Sequence, residues 1–239
     1  MNNALRTLDS DGYAVVAGIS PAEVAKLLNA AEALPAAGPE EVRGGYRDLF
    51  TLLPEIRELA GHPGIRRWPA AVLGPDCFAV RAILFDKTPD ANWKVAWHQD
   101  LTIPTRERLE RPGYGPWSLK AGIHHVEPPL AILERMLTVR IHLDHCGLEN
   151  GPVRVLPGPH RHGKLTAAGI YQWKDRVSPV DTPCAAGALL LMRPLLIHAS
   201  SAATRPGHRR VIHLEYAAGA LPDGLHWREA WGGAAVDAA

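Results

Sequence analysis

"LTVRIHLD", residues 137–144, alternates without interruption. Leu137, Val139, Ile141 and Leu143 form one row; Thr138, Arg140, His142 and Asp144 form the other. In an extended chain successive side chains point to opposite faces, so this is a strand with one apolar and one polar face. The apolar row requires a packed layer on that side. The polar row either faces solvent or lines a wet internal cavity.

Strands of the same kind surround it. "CFAVRAILFDK" (77–87), the run into His98, "PVRVLPG" (152–158), "GALLLM" (187–192), "LLIHAS" (195–200) and "RRVIHLEYA" (209–217) are short apolar runs. Glycine, proline and asparagine punctuate them, with 22 Gly and 21 Pro in the chain. The first third reads differently. In "SPAEVAKLLNAAEAL" (20–34), Ser20 is an N-cap, Pro21 stands at the first helical position and Glu23 completes a capping box. Val24, Leu27, Leu28, Ala31 and Leu34 form a helical stripe, which Gly38 and Pro39 end. A second helical region is expected between Pro54 and Leu73, interrupted near Pro63 and Pro69. The chain therefore reads as mainly β with flanking helices, its β part a sandwich or barrel. Its 239 residues suit one domain, with N-terminal helices over 1–76 packed on a β core over 77–220.

Composition narrows the function. A formal net charge of +1 argues against a nucleic-acid binder. No basic patch leads into an apolar run at the N-terminus, and no apolar stretch is long enough to span a membrane. Cys77, Cys146 and Cys184 are odd in number and widely spaced, indicating neither a disulfide framework nor a zinc knuckle. A cytoplasmic protein acting on a small molecule is expected; nothing indicates its oligomeric state.

"VAWHQDLTIP" (95–104) carries the chemistry. His98 and Asp100, one residue apart, share a face if the segment is extended. Two histidines and one carboxylate suit Fe(II) with open positions, and the second histidine has to come from elsewhere in the fold. His198 ends an apolar strand late in the chain, and Arg209 and Arg210 open the next. A buried arginine suits a dicarboxylate, but adjacent strand residues face opposite ways, so only one of the two can enter a cavity.

"WHQDL", "LDHCGLENGPVRVLPGPHRHG" and "IHASSAATRPGHRR", in that order, resemble the three signature regions of the phytanoyl-CoA dioxygenase family. The resemblance runs from about Cys77 to Tyr216. It implies a double-stranded β-helix, the jelly roll of cupins, and an enzyme using Fe(II), 2-oxoglutarate and O2. It further implies His98, Asp100 and His198 as metal ligands and catalytic residues. Arg209, eleven residues after His198, is implied as the partner of the far carboxylate of 2-oxoglutarate. Ser200 is either a further co-substrate contact or a turn residue. Thr138 and Arg140 join the co-substrate site if their strand face is inward. Asn150–Gly151 reads as a structural turn, Trp97 as core and Lys87 as a solvated loop lysine. Pro159 stands where the family carries a serine. An intact Asp100 implies hydroxylation rather than halide transfer. The alternatives are a cupin-like metal-dependent hydrolase or isomerase, and a non-catalytic binding protein on the same scaffold. Residues 101–125 read as a long loop; Arg106, Arg108, Arg111 and Lys120 against Glu107 and Glu110 hint at an anionic substrate.

Overall fold

The computed structural model describes residues 1–35, 38 and 45–233. Helices α1 (Asn2–Asp11), α2 (Pro21–Glu32), α3 (Leu49–Leu52), α4 (Glu55–Gly61) and α5 (Pro63–Leu73) occupy the N-terminal third, with β1 (Tyr13–Ala17) between the first two. The rest is β2 (Phe78–Lys87), β3 (Val95–His98), β4 (Ile103–Thr105), β5 (Trp117–Lys120), β6 (Ile123–Val126), α6 (Leu130–Glu134), β7 (Met136–His142), β8 (Val153–Val155), α7 (Ala167–Arg176), β9 (Val180–Asp181), β10 (Ala188–Met192), β11 (His198–Ser200) and β12 (Arg209–Ala217).

The strands form antiparallel sheets in the order β1-β10-β7-β12-β2 and β3-β11-β8-β9, with a third, β4-β6-β5. The first two sheets face each other as the jelly roll. Every residue of β7 is buried, and this answers the question its alternation posed. Leu137, Val139, Ile141 and Leu143 pack outward with Leu189, Leu191, Ile212 and Leu214 against Leu8, Val24, Leu27, Phe50, Ile56 and Trp68 of the helical layer. Each such side chain contributes about 1.5–3 kcal/mol by leaving water. The polar row of β7 points inward, toward the second sheet.

The capping box of α2 forms: Ser20 N–H donates to Glu23 Oε2 at 2.6 Å and Glu23 N–H to Ser20 Oγ at 3.3 Å. The helix stops at Glu32, short of Leu34; Pro39 lies outside the described residues. Pro63 opens α5, whereas Pro69 sits inside it, buried beside Trp68, where packing offsets the missing hydrogen bond.

Two expectations change. The partition into helices over 1–76 and sheet over 77–220 overlooks β1, whose "YAVVA" pairs with β10 from Tyr13↔Met192 to Ala17↔Ala188. Residues 101–125 are not a bare loop but carry the small third sheet, with Ile103 and Val126 fully buried. Its strands of three and four residues, one containing Pro104, are too short to show periodicity. Among the described residues no helix is long and apolar enough to cross a membrane.

Candidate metal and co-substrate site

β3 and β11 pair antiparallel, with His198 opposite His98. The two imidazole centroids are 4.2 Å apart. Asp100 follows β3 and is pinned by its own N–H to Pro194 O at 2.9 Å. Its Oδ1 lies 3.6 Å from His98 Nε2 and its Oδ2 3.7 Å from His198 Nε2. One potential ligand atom from each residue falls within 4.8 Å of the others.

The histidines are oriented alike. His98 Nδ1 lies 2.8 Å from Ala96 O, and His198 Nδ1 lies 2.9 Å from Leu196 O. A carbonyl oxygen only accepts, so each Nδ1 carries a proton, and in the neutral ring each Nε2 turns a lone pair toward Asp100. Such a backbone tie on the far nitrogen fixes the tautomer of a metal-binding histidine. Burial works against a charge on all three residues. At His98 the hydrogen bond and charge of Asp100 outweigh it and raise the pKa. At His198 burial prevails, helped by His98, and the pKa falls to about 4. At Asp100 the two histidines outweigh burial and hold the carboxyl well below its usual range. A neutral His198 and an ionised Asp100 are the forms that bind a metal.

Beside the triad is a cavity lined by Phe85, Trp93, Val95, Asp100, Arg140, Val153, Ser200, Arg209 and His213 together with both histidines. Arg209 enters it; its Nη1 donates to Gly151 O, and its Nε is buried without a partner. Arg210 turns the other way and binds Asp144 through Nε at 2.9 Å and Nη2 at 2.8 Å. Gly151 sits at φ +63°, where an added Cβ would lie 2.5 Å from Ser201 O. The Asn150–Gly151 turn thus also supplies the carbonyl that holds Arg209.

Lys87 is not a solvated loop residue. It is 1% exposed, faces Arg209 across β2 and β12, and donates from Nζ to Ser200 Oγ at 3.1 Å and Ser201 O at 2.7 Å. Burial, then the charge of Arg209, lowers its pKa to about 7. The only sequence signal was that Lys87 continues the inward row of Ile83 and Phe85. Cys146 is also nearer than its position in the sequence suggested: burial pushes its thiol pKa up, and the charge of Arg209 works against that rise. It stands opposite Cys184 in an antiparallel bridge, both as free thiols. Trp97 packs beside Leu156, Ile170 and Ile197.

A family model for phytanoyl-CoA dioxygenase (PhyH) matches residues 8–211. The chain belongs to the phytanoyl-CoA dioxygenase family. Family members are Fe(II)- and 2-oxoglutarate-dependent oxygenases. No curated protein sequence matches the chain. Among solved structures, EctD from S. alaskensis with 2-oxoglutarate and 5-hydroxyectoine is similar at 21% identity and TM-score 0.71, over 91% of this chain and 76% of that one. The non-heme alpha-ketoglutarate-dependent carbocyclase SnoK from nogalamycin biosynthesis gives 20% and 0.69, over 91% and 83%. AviO1 from Streptomyces viridochromogenes Tue57 gives 22% and 0.63, over 93% and 96%. At these identities the likeness shows the shared fold.

The floor of this dioxygenase-family cavity is a buried polar chain. Arg140 Nη1 lies 2.9 Å from His213 Nδ1, His213 Nε2 lies 3.0 Å from Glu215 Oε1, and Arg81 Nη2 lies 2.5 Å from the same oxygen. Asp100, His213 and Glu215 also converge within 4.8 Å, but His213 and Glu215 are committed to the two arginines. Thr138 falls outside the cavity lining, because it sits one inward position beyond Arg140, opposite Glu215; its buried hydroxyl has no partner.

Proposed function

We propose that this protein is an Fe(II)- and 2-oxoglutarate-dependent dioxygenase that hydroxylates a C–H bond of a small organic molecule, releasing succinate and CO2. His98, Asp100 and His198 would hold the iron. The observation that carries this reading is the pair of Nε2 lone pairs and one carboxylate aimed at a common point, each imidazole tied through Nδ1 to a backbone carbonyl. That donor set fits Fe(II), and the three residues would hold it with positions left open. Bound iron, 2-oxoglutarate and O2 together supply the oxidant for C–H cleavage.

The chain's own residues bind and orient. Arg209, with an unpartnered Nε, suits the far carboxylate of 2-oxoglutarate. Lys87 and Ser200 stand beside it as further donors. Phe85, Trp93, Val95 and Val153 restrict water around the reacting atoms. A buried arginine without a carboxylate partner favours this reading over a hydrolase, an isomerase or a non-catalytic binding protein. Three buried free cysteines suit a reducing, cytoplasmic setting.

The test is anaerobic metal titration followed by a metabolite screen read as substrate-stimulated succinate. We expect about one Fe(II) per chain and succinate formation that needs 2-oxoglutarate. Ring closure, the kind of reaction named for SnoK, would instead give a product lacking two hydrogens rather than gaining an oxygen. A protein that prefers zinc and does not bind 2-oxoglutarate would overturn the proposal.

A further inference from the structure

We infer that Arg140 is the counter-charge for a carboxylate on the primary substrate, so that the substrate class is a small organic acid held with its carboxylate beside the metal. This rests on the oxygenase reading above. It moves Arg140 from the co-substrate, where the sequence placed it, to the substrate.

The argument starts with Arg140's surroundings. The residue is 7% exposed and lines the cavity, and its Nε is buried without a partner. Its guanidinium lies 5.6 Å above the Phe85 ring and bonds His213 Nδ1. An arginine can only donate, so His213 Nδ1 accepts and its proton resides on Nε2, which donates to Glu215. His213 is therefore a neutral imidazole and does not balance the charge of Arg140. Glu215 is occupied by Arg81 as well. Asp100 is turned to the two iron-binding histidines. Among the described ion pairs none includes Arg140.

A buried cation without an anion is costly, and the cost falls when a ligand supplies the charge. 2-Oxoglutarate does not supply it. Its far carboxylate is matched by Arg209, with Lys87 alongside. Its near carboxylate and Asp100 together would offset the two positive charges of a bound Fe(II). Arg140 is then left with one positive charge, next to the triad. A planar carboxylate fits the guanidinium fork, and His213 holds that fork in place.

The test uses protein loaded with Mn(II) and saturating 2-oxoglutarate under anaerobic conditions. Acetate, benzoate and phenylacetate are compared with their primary amides. Mn(II) broadens the proton signals of any probe seated beside it, so the readout does not depend on turnover. We expect broadening by the carboxylates and not by the amides. Arg140→Met should weaken probe binding by about tenfold or more, the scale of one charged hydrogen bond. Arg140→Lys, which keeps the charge, should retain the carboxylate preference. Affinity for 2-oxoglutarate should change less than about threefold in either variant, a small fraction of a charged contact. Equal broadening by acids and amides overturns the assignment, and this comparison needs no variant to fold. A loss of 2-oxoglutarate affinity in Arg140→Met as large as in Arg209→Leu also overturns it, placing Arg140 on the co-substrate. Wild-type protein that binds no 2-oxoglutarate with Mn(II) overturns the oxygenase reading itself, and with it this one.

Discussion

Lys87 and Arg209 stand directly opposite each other on β2 and β12, two buried cations on one inward face. Each disfavours the other's charge, and Lys87 yields, with a pKa lowered to about 7 by burial and then by Arg209. A dianion between them would favour the ammonium form. By linkage, 2-oxoglutarate affinity should be highest below about pH 7 and fall as pH rises through the higher pKa of the complex. Calorimetric titration with metal held saturating should show this decline, and Lys87→Met should remove it. A wild-type affinity independent of pH between neutral and alkaline conditions would show that Lys87 does not meet the co-substrate.

Arg209 and Arg210 make a paired test of strand facing. On the proposed assignment, Arg209→Leu would leave a co-substrate carboxylate without its partner, at a cost of about 3–5 kcal/mol. The apparent 2-oxoglutarate constant should rise by about two to three orders of magnitude. Arg210→Leu removes a mostly buried pair with Asp144, whose carboxylate keeps the residue-210 N–H, so stability should fall by about 1–3 kcal/mol, with co-substrate affinity unchanged. The opposite ranking in binding would reverse the roles.

Replacing His98, Asp100 or His198 with alanine should in each case abolish stoichiometric Fe(II) binding in a protein that stays folded by circular dichroism. The site should tolerate truncation because both imidazoles line the cavity and each is tied to the backbone by one Nδ1 hydrogen bond. His198→Ala with wild-type iron affinity would remove His198 from the site.

The legible parts of the fold were those with local periodicity. Ser20, Pro21 and Glu23 form their cap, and the β7 alternation forms a two-faced strand, because both patterns depend on near neighbours in sequence. Motif order names His98, Asp100 and His198, and the fold brings their side chains together. What was not legible depends on register. Nothing near Lys87 in sequence shows that its partner across the sheet is Arg209, or that Ser200 is within reach. Cys146 meets Cys184, and comes under the charge of Arg209, only once distant segments have paired. The charge hint from residues 101–125 weakens in the structure, because Arg108 pairs with Glu110 at 2.6 Å and Arg106 is exposed. Arg140, by contrast, is a buried cation that lines the cavity.

His142 lies on the same inward row, 2% exposed, with both ring nitrogens buried and unpartnered. Burial, then Arg140, lowers its pKa to about 3. The unfolded chain takes up a proton near the ordinary histidine value, and the folded one refuses it until about pH 3. Stability is therefore fully present above about pH 6.5 and falls as pH drops below it, by about 2 kcal/mol at pH 5 from this residue alone. His142→Leu should flatten the acid limb of a urea-denaturation series and leave stability at pH 7 equal or higher, since an unsatisfied polar group is removed. An unchanged acid limb would show that His142 titrates normally.

Gln99, the residue between His98 and Asp100, is 5% exposed and hydrogen-bonds other stretches of chain rather than joining the His98–Asp100–His198 cluster. Its Nε2 donates to Gly163 O at 2.9 Å and Leu195 O at 2.7 Å, and its Oε1 accepts from Leu165 N–H at 2.8 Å. One amide thus ties the HxD segment to two other stretches of chain, using a donor pair and an acceptor that no apolar side chain offers. Gln99→Leu leaves three backbone groups without a partner, each worth about 1 kcal/mol or more when buried. We expect a loss of about 3 kcal/mol in stability and, because His98 and Asp100 are positioned by this tie, an Fe(II) affinity about tenfold weaker. Gln99→Glu separates the two halves of the role. Its carboxylate still accepts from Leu165 but repels the carbonyls of Gly163 and Leu195, so its pKa in the folded protein should rise above the unfolded value. That variant should be less stable than wild type at pH 7 and recover part of the difference as pH falls and the new O–H replaces one lost donor. Wild-type iron affinity in Gln99→Leu, or a Gln99→Glu deficit that does not shrink with acid, would show that the middle residue of the motif does not position its neighbours.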